Sequence, residues 1–203
     1  GDTNYNIATT SQLITIGKTT PVLTITSANT LNVDGTLTAT VTTTATNGRG
    51  GAFTYALAAG SGSATINSST GLITGISIGS VTLTVTSAGD TNYNVATTSQ
   101  LITIGKTTPV LTITSANTLN VDGALTATVT TTATNGRGGA FTYALVAGSG
   151  SATINASTGL ITGVSIGSVT LTVTSAGDTN YNVATTSQLI TIGKTTPVLT
   201  ITS

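Results

Sequence analysis

The chain of 203 residues contains no cysteine, histidine, tryptophan, methionine or glutamate. Without cysteine, disulfides and thiolate metal sites cannot form, although this does not fix the compartment. Without histidine, cysteine and glutamate, the usual general bases reduce to aspartate and lysine. Those few groups are spread over linker, loop and turn, so the inventory argues against an enzyme. Charge is scarce: five acids balance five bases, net charge is zero, and only 5% of residues are charged, against about 25% in an ordinary soluble domain. A zero balance with no basic cluster argues against nucleic acid and anionic membrane surfaces as partners. No apolar run approaches the ~18 residues of a membrane span, and the first residues do not read as a signal peptide. Low hydrophobicity with high charge, the signature of disorder, is also missing: 38% of the chain is hydrophobic.

What is present is repetition. GDTNYN stands at 1–6, returns at 89–94 and again at 177–182, a spacing of 88 residues. Residues 1–88 and 89–176 differ only by modest swaps such as Ile7 to Val95, Ala58 to Val146 and Ile76 to Val164. A period of this length exceeds the roughly 20–50 residues of solenoid repeats and suits an independent small domain. The only prolines, Pro21, Pro109 and Pro197, each lie in GKTTPVLTIT, which is the best linker signal in the repeat. Cutting there predicts domains at 19–106 and 107–194. Residues 1–18 would then be the terminal strands of a preceding repeat, and 195–203 the first strand of a following one. On this reading the chain is a window on a longer array.

Within a repeat, apolar and polar residues alternate with a period of two, the strand pattern. LTATVTTT sets Leu37, Ala39 and Val41 against Thr38, Thr40 and Thr42. VTLTVTS sets Val81, Leu83 and Val85 against Thr82, Thr84 and Thr86, and FTYALA faces Phe53, Tyr55 and Leu57 inward. Further strands are expected at 22–27, 64–67, 72–75, 93–98 and 100–105. No segment shows a helical apolar stripe. Many short strands with frequent turn signals in about 90 residues predict an all-β sandwich.

The pieces at Ser69 to Gly75, Gly79 to Ser87, Gly89 to Asn94 and Gly105 to Pro109 carry a resemblance. Together they resemble the bacterial immunoglobulin-like repeats of large surface proteins, including adhesins of the invasin and intimin kind. The resemblance spans the whole 88-residue period, most specifically its second half. It implies tandem immunoglobulin-like β-sandwich domains in an extracellular or cell-surface bacterial protein.

GDTNYN admits three readings. As a calcium loop, Asp90, Asn92 and Asn94 reproduce the first ligand positions, but Val95 replaces the required glycine and Leu101 the bidentate glutamate. An irregular calcium site at Asp90 and Asn92, repeated at Asp178 and Asn180, stays open, and Asp34 could contribute to it. As a structural device, Asp90-x-x-Tyr93-x-Val95 is similar to the tyrosine corner of immunoglobulin-type domains, with Val95 in the place of a cysteine. Tyr5, Tyr93, Tyr181, Asp90 and Asp178 would then hold the fold, helped by the turn preferences of Asp and Asn. The catalytic reading fails on the inventory above.

Other candidates are few. Arg49 and Arg137 sit in the NGRGG loops, where a binding residue would be displayed. Lys18, Lys106 and Lys194 lie in the linkers as expected solvated lysines rather than isopeptide donors. Leu101 falls off-phase from Ile102 and Ile104, so it is expected to be exposed and favours lateral packing. The threonine rows are either a neutral exterior, a packing face for neighbouring copies, or a flat surface for ice or a polysaccharide. The expected function is therefore a non-enzymatic fibre or adhesin-stalk segment, with a glycan-, ice- or host-binding module as the alternative.

Overall fold

A computed structural model describes residues 3–46, 50–134 and 138–201. The described residues contain strands and no helix, arranged as two tandem immunoglobulin-like domains of about 88 residues each. In the first repeat, β1 spans Leu23–Ile25, β2 Thr30–Asn32, β3 Thr36–Thr38, β4 Val41–Thr43 and β5 Phe53–Ala59. They are followed by β6 at Ser63–Ile66, β7 at Leu72–Ser77, β8 at Gly79–Ser87 and β9 at Ala96–Gly105. The second repeat copies this order as β10 Leu111–Ile113, β11 Thr118–Asn120, β12 Ala124–Thr126, β13 Val129–Thr131 and β14 Phe141–Ala147. It continues with β15 Ser151–Ile154, β16 Leu160–Ser165, β17 Gly167–Ser175 and β18 Ala184–Gly193.

One face of the first sandwich is the sheet β2-β9-β8-β5, and the other is built from β3-β7-β6 with the pair β1-β4. Strand β8 is central because its alternation is the cleanest: Val81, Leu83 and Val85 are at most 2% exposed. They meet Ile102 and Ile104 of β9, Ile73 of β7 and Val33 in one core. Each such side chain contributes about 1.5–3 kcal/mol by leaving water. The β-branched valines and isoleucines among them suit a pleated surface, so propensity and burial agree.

The structure departs from the alternation pattern at three places. The expected single strand over 37–44 divides into β3, which pairs with β7, and β4, which pairs with β1. Ala39 lies at the crossing, 4% exposed, and its N–H donates to Gly71 O at 2.9 Å. The inward face survives this change of sheet because Ala39 is small enough to sit between the layers. Consequently Thr38, Thr40 and Thr42 do not form one flat row on one sheet. The two strands expected at 93–98 and 100–105 are instead one continuous strand, β9. Val95 precedes it and is 59% exposed, whereas Ala96 is buried, so the analogy of Val95 to a core cysteine ends at Tyr93. Finally, β2 runs parallel to β9 with Leu31 opposite Ile104, a pairing too short to leave a sequence pattern.

Residues 96–105 and 8–17 are the same sequence, ATTSQLITIG, yet the latter carry no strand and are exposed. A strand needs neighbours for its backbone groups. Those neighbours exist for 96–105 in β8 and β2, whereas 8–17 pair with no strand among the described residues. Tyr5 accordingly is 76% exposed, and residues 194–201 likewise form no strand.

Candidate functional site

The GDTNYN turn converges on the join between the repeats. Gly177 adopts a left-handed φ of 70°, and a Cβ there would lie 2.8 Å from Tyr181 O, so only glycine starts this turn without strain. The Asp178 carboxylate then organises it. Its Oδ1 accepts the N–H groups of Asn180 at 2.7 Å and Tyr181 at 2.9 Å, and its Oδ2 accepts Gly138 N–H at 2.9 Å. Asp90 repeats the arrangement with Asn92, Tyr93 and Gly50 at 2.7, 2.9 and 2.8 Å. Hydrogen bonds to an ionised acceptor are the stronger kind. Both carboxylate oxygens of Asp90 and of Asp178 therefore face backbone donors. Among the described residues no group of three or more His, Cys, Asp or Glu converges.

The linker closes onto the same turn. Thr107 N–H donates to Asn180 O at 3.2 Å, and Asn182 N–H to Thr107 O at 2.9 Å. Asn182 Nδ2 reaches Thr108 Oγ1 at 2.9 Å, and Lys106 Nζ donates to Asp178 O at 2.8 Å. The linker lysine is thus exposed but engaged, and Lys18 does the same with Asp90 O at 2.7 Å. Residues 106–109 are zipped to the repeat that follows them rather than left as a free tether.

Tyrosine completes the join. The Tyr181 hydroxyl accepts Thr134 N–H at 3.2 Å and donates to Asp34 Oδ2 of the preceding repeat. Tyr93 makes the same contact with Thr46 N–H at 3.2 Å. In both repeats the hydroxyl reaches a residue 47 positions upstream, across the sandwich, whereas a tyrosine corner bonds only a few residues upstream. Three further bonds cross between repeats. Thr134 Oγ1 donates to Asp34 Oδ1 at 2.9 Å, Ile78 N–H donates to Asn180 Oδ1 at 3.1 Å, and Thr107 Oγ1 donates to Val33 O. Tyr181 joins the core cluster of the first repeat, which contains Val33 and has Ile78 packed against it.

The other candidates lie elsewhere. Leu101 faces outward on β9, 58% exposed and paired with Thr82. Thr82, Thr84 and Thr86 form the middle of a grid between Ala58, Ala56 and Thr54 of β5 and Leu101, Ser99 and Thr97 of β9. Arg49 and Arg137 lie outside the described residues. Sequence reasoning singled out Asp90, Asp178 and the tyrosines but assigned no inter-repeat role to Asp34, Ile78 or Asn180. The left-handed φ of 63° at Asp34 follows from no local signal beyond the Asp-Gly pair.

Comparison with solved structures finds a C-terminal 282-residue fragment of intimin in complex with the intimin-binding domain of the translocated intimin receptor, at 18% identity and a TM-score of 0.33. The match covers 84% of this chain but 64%, less than two thirds, of the intimin fragment. The fibronectin(III)-like modules of Clostridium thermocellum CbhA match at 11% identity and a TM-score of 0.32, over 85% of this chain and 95% of theirs. No curated protein sequence matches the chain, and no catalytic family is indicated. The model of the bacterial Ig-like domain, group 2, matches residues 18–99 and again 106–187. With two tandem copies spanning most of its length, the chain belongs to the bacterial Ig-like domain (group 2) family.

Proposed function

We propose that this chain is a structural, non-enzymatic segment of a bacterial extracellular fibre or adhesin stalk. Repeats divided near 19–106 and 107–194 give it length, and their docking makes it stiff. The observation that carries this reading is the join itself. A hydrogen-bonded linker and a buried tyrosine hold the second repeat against the first, leaving no slack chain between them. The side-chain inventory lacks histidine, cysteine and glutamate, which leaves aspartate and lysine as the usual general bases. Small-angle scattering of the chain tests the reading. A single rod-like distance distribution is expected, and a broad distribution of inter-repeat separations would overturn it.

A second contribution is lateral packing of such rods. The outer face of β5, β8 and β9 presents Thr, Ala, Ser and Leu with no charged residue among them, and charge is a main device against association. Electron microscopy separates the two levels of assembly. Single thin threads would confine the function to a stalk, and thick fibres with repeats in register would add the grid as a contact face.

A further inference from the structure

The two repeats provide an internal comparison, because among the described residues a following repeat is docked on the first and none on the second. Where the second repeat sits on the first, Val33 is 1% exposed and Ile76, Ser77 and Ile78 are half-buried. The same positions at the far end are more open: Val164 is 53% and Ile166 52% exposed. The tyrosines show the converse, Tyr181 being 1% exposed and Tyr93 only half-buried. Each repeat therefore carries both halves of one join on opposite ends.

We propose that the end face formed by Val121, Asp122, Val164 and Ile166 is a docking site for the Thr-Asn-Tyr-Asn turn of a further copy of this repeat. The Asp122 carboxylate accepts the incoming tyrosine hydroxyl, and Ile166 N–H donates to the incoming asparagine side chain. This inference rests on the stacked reading above and extends it from the join that is present to the face that is open.

Three observations support it. First, Asp34 and Asp122 hold left-handed φ values of 63° and 62°, a region disfavoured for residues other than glycine. Their turns close with Gly35 N–H on Asn32 O and Gly123 N–H on Asn120 O, both at 2.9 Å, and glycine would fit there with less strain. At Asp34 the carboxylate binds Tyr181 and Thr134 of the next repeat. A strained residue whose side chain acts only across a join marks its copy, Asp122, for the same partner. Second, the chain leaves both repeats by one path, since Thr195 Oγ1 donates to Val121 O as Thr107 Oγ1 does to Val33 O. Third, an open concavity occupies the far end: Val121, Asp122 and Ile166 in its lining match Val33, Asp34 and Ile78 beneath the second repeat, and Lys194, Thr195 and Pro197 match Lys106, Thr107 and Pro109 on the path into it. The contact is heterologous, so repeating it generates an open helical strand rather than a closed ring.

Amide exchange by NMR tests this on the full chain and on the chain extended by one more copy of the repeat. In the full chain, Ile78 N–H is expected to exchange at least about tenfold more slowly than Ile166 N–H. In the extended chain, Ile166 N–H should slow to match Ile78, and Asp122→Gly should return it to fast exchange. Asp122→Asn, which keeps an acceptor, should retain part of the protection. In the unextended chain Asp122→Gly should not lower Tm, which separates a docking role from a folding one. If Ile78 is protected but Ile166 is unchanged on extension, the end-face proposal is overturned and the stacked reading stands. Equal exchange at Ile78 and Ile166 in the original chain would overturn both.

Discussion

At the scale of single residues, the acid of GDTNYN acts through geometry. Both Asp90 oxygens face backbone N–H groups at 2.7–2.9 Å, so the charge is spent organising a turn and anchoring a loop. Replacing it by alanine leaves those donors without an acceptor. Asp90→Ala is expected to lower the stability of the first repeat by about 2–4 kcal/mol in urea unfolding. The same geometry predicts that a chelator leaves Tm unchanged, and a fall of several degrees would favour the calcium reading. Gln100 marks the opposite situation. Its Oε1 is buried with no hydrogen-bond partner, and an orphaned buried acceptor costs about 1–3 kcal/mol. Gln100→Leu should therefore raise Tm, as read by calorimetry.

At the scale of elements, legibility followed the strength of the alternation. Strand β8 was readable because Val81, Leu83 and Val85 all point into one core, and a one-residue slip would invert them. Leu83 is fully buried, so Leu83→Ala should cost about 2–5 kcal/mol in urea unfolding. Strands β3 and β4 were not separable in the sequence, because the inward alternation continues through Ala39 while the pairing partner changes. Strand β2 has Leu31 as its one buried residue, too little to form a pattern. The turn before β9 is set by Gly89, whose φ is 71° and whose Cβ position lies 2.8 Å from Tyr93 O. Gly89→Ala is expected to destabilise the first repeat by about 1–3 kcal/mol, measured against wild type by thermal unfolding.

At the scale of the whole molecule, near-identical repeats meeting through one heterologous contact imply a constant rotation and rise per repeat. With 5% charged residues and zero net charge, little of the stability is electrostatic and little can be screened. Tm is expected to move by less than about 2 °C between low salt and 1 M salt, since exposed charge pairs contribute little. A larger shift would show that the few charges matter more than their hydrogen-bond geometry implies. The join was only half legible. GDTNYN stood out as a repeated, chemically dense hexapeptide, but its partners Ile78 and Asp34 carry no shared motif and lie 102 residues from Asn180 and 147 from Tyr181.

Sequence alone determined the period, the β class and the family, because these rest on local alternation and on self-similarity along the chain. It also ruled out thiol chemistry by composition. Only the tertiary structure decided what GDTNYN touches. One hexapeptide is exposed at Tyr5, half-buried at Tyr93 and buried at Tyr181, since burial depends on which neighbour is present rather than on the residues themselves.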